Sequence, residues 1–202
     1  MTRANKFVFS PNWKLLLTDM KIDLTSVTAY AKLPVDLFIR PNITLSTNEY
    51  FRFWHAIEKV AKDKDVPLLL AQHMTAESFD APIFASLCSD NLNAAVTRLK
   101  HYKPLIGPLE LAVDINKKRT QLTVSCYNSK ESIPRSLGLC EAVFFTQLAR
   151  LATREKITPV EIVLQDLPKD VAKYEEYFDC KLTQGEAMMI SFSAEEATIP
   201  FL

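Results

Sequence analysis

Pro108-Leu109-Glu110-Leu111-Ala112-Val113-Asp114-Ile115-Asn116-Lys117-Lys118-Arg119-Thr120-Gln121-Leu122-Thr123-Val124-Ser125-Cys126 is the stretch that decides the fold. Leu109, Leu111, Val113 and Ile115 alternate with Glu110, Ala112 and Asp114. Beyond the polar turn Asn116-Lys117-Lys118-Arg119, Leu122, Val124 and Cys126 alternate with polar neighbours. Strand side chains point to opposite faces in turn, so this period of two predicts a β-hairpin with one wet face.

Upstream of the hairpin the period is helical. Ser46-Thr47-Asn48-Glu49 forms a capping-box pattern, in which the hydroxyl accepts from the third helical amide and the Glu reaches back to the cap amide. Tyr50, Trp54, Ile57 and Ala61 follow at helical spacing, with Phe53 and Val60 widening the stripe and Arg52, Lys59 and Lys62 opposite. Ser89-Asp90-Asn91 caps a second helix through Leu92, Ala95, Val96 and Leu99, which Pro104 is expected to end. Shorter helices are predicted over 13–20, 24–31 and 67–74, with Pro34 and Pro41 as breaks.

Downstream, residues 138–155 read as a long helix whose broad apolar side carries Leu139, Cys140, Val143, Phe144, Leu148, Leu151 and Ala152. Residues 160–164 read as a strand and 170–178 as a short helix, and 181–184 with 187–192 are expected to form a second hairpin around Gly185. The fold class is therefore α+β: a mainly helical part, 1–104, followed by a mostly antiparallel sheet with packing helices, 105–202.

Composition removes several functions. The 202 residues balance 24 Lys and Arg against 24 Asp and Glu, leaving no global positive field for a phosphate backbone. The longest apolar runs, such as Val66-Pro67-Leu68-Leu69-Leu70-Ala71, fall far short of the ~20 residues of a membrane span. No export signal follows Met1, and Cys88, Cys126, Cys140 and Cys180 are too scattered for a disulfide framework, so reduced thiols in a cytoplasm are expected.

Catalytic motifs are also missing. Gly107, Gly138 and Gly185 are the only glycines, too few for a nucleotide-cradling loop. His55, His73 and His101 lack a partner at metal-ligand spacing, so no metal or cofactor is expected. Ser136-Leu137-Gly138 lacks the glycine pair of a nucleophile elbow, and Cys140 reads as an inert core thiol. Glu175 and Glu176 are neighbours on a helix and point apart, so they solvate its surface rather than share a proton.

The order of segments carries a resemblance. Residues 43–74 contain Leu45-Ser46 leading into the aromatic helix and then Pro67-Leu68-Leu69-Leu70-Ala71. Residues 84–95 and Tyr102 follow, and then Leu167-Pro168, Tyr174, Tyr177-Phe178, Leu182, Ile190-Ser191-Phe192 and Ile199-Pro200-Phe201. Together they resemble the N-terminal effector domain of AraC-type transcription regulators, in the subgroup labelled arabinose-binding. Asp179, Gln165 and Leu182 depart from the Gly, His and Phe common there.

The resemblance implies one effector-binding and dimerisation domain over 1–202, not an enzyme, with a small-molecule effector and a homodimer partner. DNA would be reached only through a C-terminal helix-turn-helix module that this chain lacks. The effector pocket is expected between the sheet and the 138–155 helix. Tyr127, Glu141, Phe145, Gln165 and Met188 are its candidate lining, supplying hydroxyl, carboxylate and amide among apolar groups. The competing reading is a ligand-free oligomerisation or protein-interaction module, which needs only a close-packed interior.

Overall fold

The computed structural model describes residues 3–74 and 81–202, an α+β architecture in which a helical layer precedes a five-stranded sheet. The helical part holds α1 (Asn12–Asp19), α2 (Leu24–Ala31), α3 (Thr47–Ala61), α4 (Val66–His73), α5 (Ala81–Leu87) and α6 (Leu92–Ile106). Two short strands, β1 (Phe7–Val8) and β2 (Thr44–Leu45), pair antiparallel beside them. The second part runs β3 (Leu109–Ile115), β4 (Arg119–Cys126), α7 (Arg135–Thr153), β5 (Glu161–Leu164), α8 (Val171–Phe178), β6 (Leu182–Gln184), β7 (Met188–Ser193) and α9 (Ala194–Ala197).

Local chemistry sets most boundaries. The Ser46 hydroxyl accepts from Glu49 N, and the Glu49 carboxylate accepts from Ser46 N at 2.8 Å, so the capping box opens α3 as expected. Asn91 caps α6 by accepting from Ala94 N at 3.1 Å. Asn116 closes the β3–β4 turn, its Oδ1 accepting from the amides of Lys118 and Arg119.

Pro104 does not end α6, which continues to Ile106. A proline inside a helix removes one rung and disfavours helical backbone just before it. Here that preceding residue, Lys103, is anchored by Glu141, and the Pro104 carbonyl accepts from Ala4 N at 2.8 Å.

The hairpin expected around Gly185 does not form either. The sheet order is β3-β4-β7-β5-β6, so β5 lies between β6 and β7. β5 pairs parallel with β6 across the α8 crossover, while the other three pairings are antiparallel. Gly185 carries the chain over the end of β5, donating its N–H to Leu164 O at 2.9 Å. A Cβ there would sit 2.5 Å from Val163 Cγ1, so the glycine serves a close crossing rather than a tight turn.

Register then aligns one apolar row across all five strands: Val113, Leu122, Ile190, Ile162 and Leu182. α7 starts three residues before the expected Gly138, with Pro134 at its N-cap. Gly138 instead lets the helix approach the sheet, with Met188 Cγ 3.6 Å and Leu164 Cδ2 3.7 Å from where its Cβ would be. One hydrophobic cluster joins this layer to the α3 aromatics, where Phe53 meets Phe9, Trp13 and Trp54 edge-on.

Candidate functional site

Of the five candidate residues, the structure brings two together. Glu141 and Phe145 lie one turn apart on α7 and meet Lys103 of α6. Lys103 Nζ donates to both Glu141 carboxylate oxygens, at 2.6 and 2.7 Å, and sits 5.7 Å from the Phe145 ring centroid. The two charged side chains keep only 9% and 10% of their exposure, so this ion pair is withdrawn from water where the helical part meets the α+β part.

Tyr50 of α3 borders the pair. Burial pushes its phenol far above the usual range, the Glu141 charge adds to that, and the nearby Trp54 indole opposes it. Trp54 Nε1 nevertheless reaches hydrogen-bond geometry with no partner among the described residues. Beside Glu141, burial pushes the Cys140 thiol well up as well, in keeping with a core thiol.

The other three lie apart from it. Met188 is buried on β7 under Gly138. Gln165 follows β5 and ties two loops together, its Oε1 accepting from Ile133 N and its Nε2 donating to Glu186 O, both at 2.9 Å. Tyr127 follows β4, donates its hydroxyl to Ala4 O, and carries the Arg3 guanidinium 5.2 Å above its ring. The α7–sheet contact at Gly138 is close-packed.

Lys103 escaped the sequence reading, although the pattern contained it. Leu92, Val96, Leu99 and Lys103 follow one helical stripe, which puts Lys103 on the buried face of α6. A lysine continuing an apolar stripe demands a buried counter-charge, and Glu141 continues the corresponding stripe of α7 with Leu137, Phe145 and Leu148.

A cleft of about 90 Å³ opens to solvent where α4, α7 and α8 converge. Its lining includes Glu58, Lys62, Lys64, Asp65, Arg135, Ser136, Lys169 and Tyr174. Arg135 pairs with Glu58, and its second arm donates to Leu167 O at 3.4 Å. Asp65 pairs with Lys173 and accepts from the Tyr174 hydroxyl at 3.5 Å. Burial, reinforced by the Asp65 charge, pushes the Tyr174 phenol far up, so it stays a neutral donor. A more apolar groove of about 290 Å³, lined by Leu68, Leu69 and Tyr177, adjoins the cleft through Lys64 and Asp65.

Among the described residues no group of three or more His, Cys, Asp or Glu side chains gathers as a metal site. Nor is any described helix long and apolar enough to cross a membrane. The cleft presents charged and hydrogen-bonding side chains to solvent.

Comparison with known proteins follows the same line. A family model described as the arabinose-binding domain of AraC transcription regulator, N-terminal, matches residues 22–201. It is a family described by ligand binding and regulation rather than by a reaction. The crystal structure of the transcriptional regulator CdpR from Pseudomonas aeruginosa is similar in fold, with a TM-score of 0.57 at 15% identity. That similarity covers 96% of this chain and 58% of the regulator's chain. No curated protein matches the sequence.

Proposed function

The chain belongs to the family of arabinose-binding domains at the N terminus of AraC transcription regulators, and from that premise we propose that it senses a small-molecule effector in the cytoplasm. As a homodimer it passes the bound state to a DNA-binding helix-turn-helix module. The observation that carries this reading is the family match over residues 22–201, nearly the whole chain. The coupling element is α7. Its first turn, with Arg135 and Ser136, opens on the cleft, while Glu141 and Phe145 farther along tie it to Lys103 of α6. A ligand that shifts α7 would therefore act on both parts of the fold, biasing how two DNA-binding units meet paired half-sites.

Of the earlier candidates, Glu141 and Phe145 are assigned to this coupling, and Tyr127, Gln165 and Met188 to the support of the strand ends around it. The close-packed α7–sheet contact at Gly138 favours a second reading, a ligand-free oligomerisation module. Native mass spectrometry of the protein purified from its own host separates the two. A dimer that releases a small molecule on denaturation supports the sensor; an apo dimer that acquires no ligand from host extract leaves the oligomerisation module. A monomer by sedimentation at tens of micromolar, roughly above ordinary micromolar dimer constants, removes the dimer from either reading.

A further inference from the structure

We infer that the cleft between α4, α7 and α8 binds the anionic group, carboxylate or phosphate, of a small organic effector, with the adjoining groove at Leu68, Leu69 and Tyr177 holding its apolar body. This rests on the sensor reading and deepens it by naming the ligand's chemical class.

The first observation is the charge left over in the cleft. Four cationic side chains, Lys62, Lys64, Arg135 and Lys169, face the carboxylates Glu58 and Asp65. Both carboxylates are already engaged, Glu58 by Arg135 and Asp65 by Lys173. Lys64 is spent on backbone, donating to Met20 O at 3.1 Å and Lys21 O at 2.8 Å. Lys62 and Lys169 make neither an ion pair nor a hydrogen bond among the described residues. The chain as a whole is neutral, and the charge surplus in the cleft is positive.

The second observation is independent of those side chains. Two helices begin at the cleft, and no side chain caps either. Asp65, the N-cap residue of α4, is drawn aside to Lys173 and Tyr174. Pro134 at the N-cap of α7 has no capping group to offer, and the first internal bond of that helix is Gly138 N to Pro134 O. The amides of Arg135, Ser136 and Leu137 therefore precede any intrahelical acceptor, and they add donors and a positive helix end to the two lysines.

Size and polarity complete the argument. A volume of about 90 Å³ suits one carboxylate or phosphate group rather than a nucleic-acid backbone, and the apolar groove of about 290 Å³ begins at the shared Lys64 and Asp65. An effector with a charged end and an apolar body fits that sequence of surfaces.

The test is titration of the ¹⁵N-labelled protein with inorganic phosphate and, separately, with benzoate, against chloride at constant ionic strength. The amides of Ser136 and Leu137 should move with a saturable curve, and benzoate alone should also move Leu68 and Leu69. Lys62→Gln combined with Lys169→Gln should weaken binding about tenfold or more, the scale of one lost charge-assisted hydrogen bond. Lys100→Gln, at a different groove, should leave it unchanged. These lysines are exposed, so the variants fold. Failure of both anions to move the α7 amides overturns the inference, as does equal affinity in the double variant. A cationic or neutral molecule released from the native protein overturns it too, while leaving the sensor reading intact.

Discussion

Replacing Lys103 by Met removes the ammonium and keeps most of the aliphatic volume, leaving Glu141 with no counter-charge between α6 and α7. Both side chains are about nine-tenths withdrawn from solvent, and both carboxylate oxygens depend on the one Nζ. Breaking a buried pair from one side costs about 3–5 kcal/mol, because an isolated charge stays buried. At roughly 2–4 °C per kcal/mol for a chain of this size, the melting temperature should fall by about 6–20 °C. The double variant Lys103→Met with Glu141→Leu removes both charges and should recover to within about 1.5 kcal/mol of the wild type. Denaturant melts of the wild type, both single variants and the double variant, run as a thermodynamic cycle at pH 7, give the coupling directly. A single-variant cost below about 1 kcal/mol would refute the burial argument, since that is the range of a solvated surface pair. A double variant no more stable than Lys103→Met would show that shape, not charge, joins the helices.

Two further outcomes follow from local features. Backbone and hydroxyl hydrogen bonds from Ser46 hold the Glu49 carboxyl below the usual carboxylate range. A depressed native pKa stabilises the fold above the unfolded value, near 4.3, and that contribution is lost as pH falls through the native value. Glu49→Gln keeps the capping geometry but loses the charge. It should therefore cost about 0.5 kcal/mol at pH 7 and nothing in strong acid, measured by urea melts across that range; a cost that does not change with pH would contradict the assignment. Gly185→Ala places a methyl 2.5 Å from Val163 Cγ1 and should destabilise the fold by about 1–3 kcal/mol, with the lost amide protection concentrated in β5 and β6. A neutral substitution there would mean that the crossing over β5 is looser than drawn.

What the sequence made legible was local. The Ser46–Glu49 box and the Asn116 turn were readable because each is closed by atoms within a few residues. The alternation around Leu111 and Leu122 was readable because one hairpin satisfies it. The places of β6 and β7 were not, since Leu182–Gln184 and Met188–Ser193 look like any two strands joined by a glycine. Only the insertion of β5 between them, a contact across a helix, decides otherwise. The candidate site shows the same division. Glu141 was visible as a polar group on an apolar helix, but its partner Lys103 becomes meaningful only when the α6 and α7 stripes are matched. The cleft draws on segments around Glu58, Asp65, Arg135 and Lys169, and no period or motif connects them.

The position of β7 bears on how the molecule is made. It is the third strand of five in space, yet the last among the described residues to leave the ribosome. Arg119 must wait for Ser193, and Glu161 for Ser191, before either flank of the sheet has its neighbour. Until then the β3–β4 hairpin and the β5–α8–β6 unit are separate fragments, each exposing an apolar face and an unpaired edge. During synthesis the β3–β4 hairpin therefore waits with a sticky edge for the time needed to translate about 70 residues, several seconds at ordinary elongation rates, whereas the β5–α8–β6 unit waits for only about ten. Arrival of one six-residue strand then joins them in a single late step.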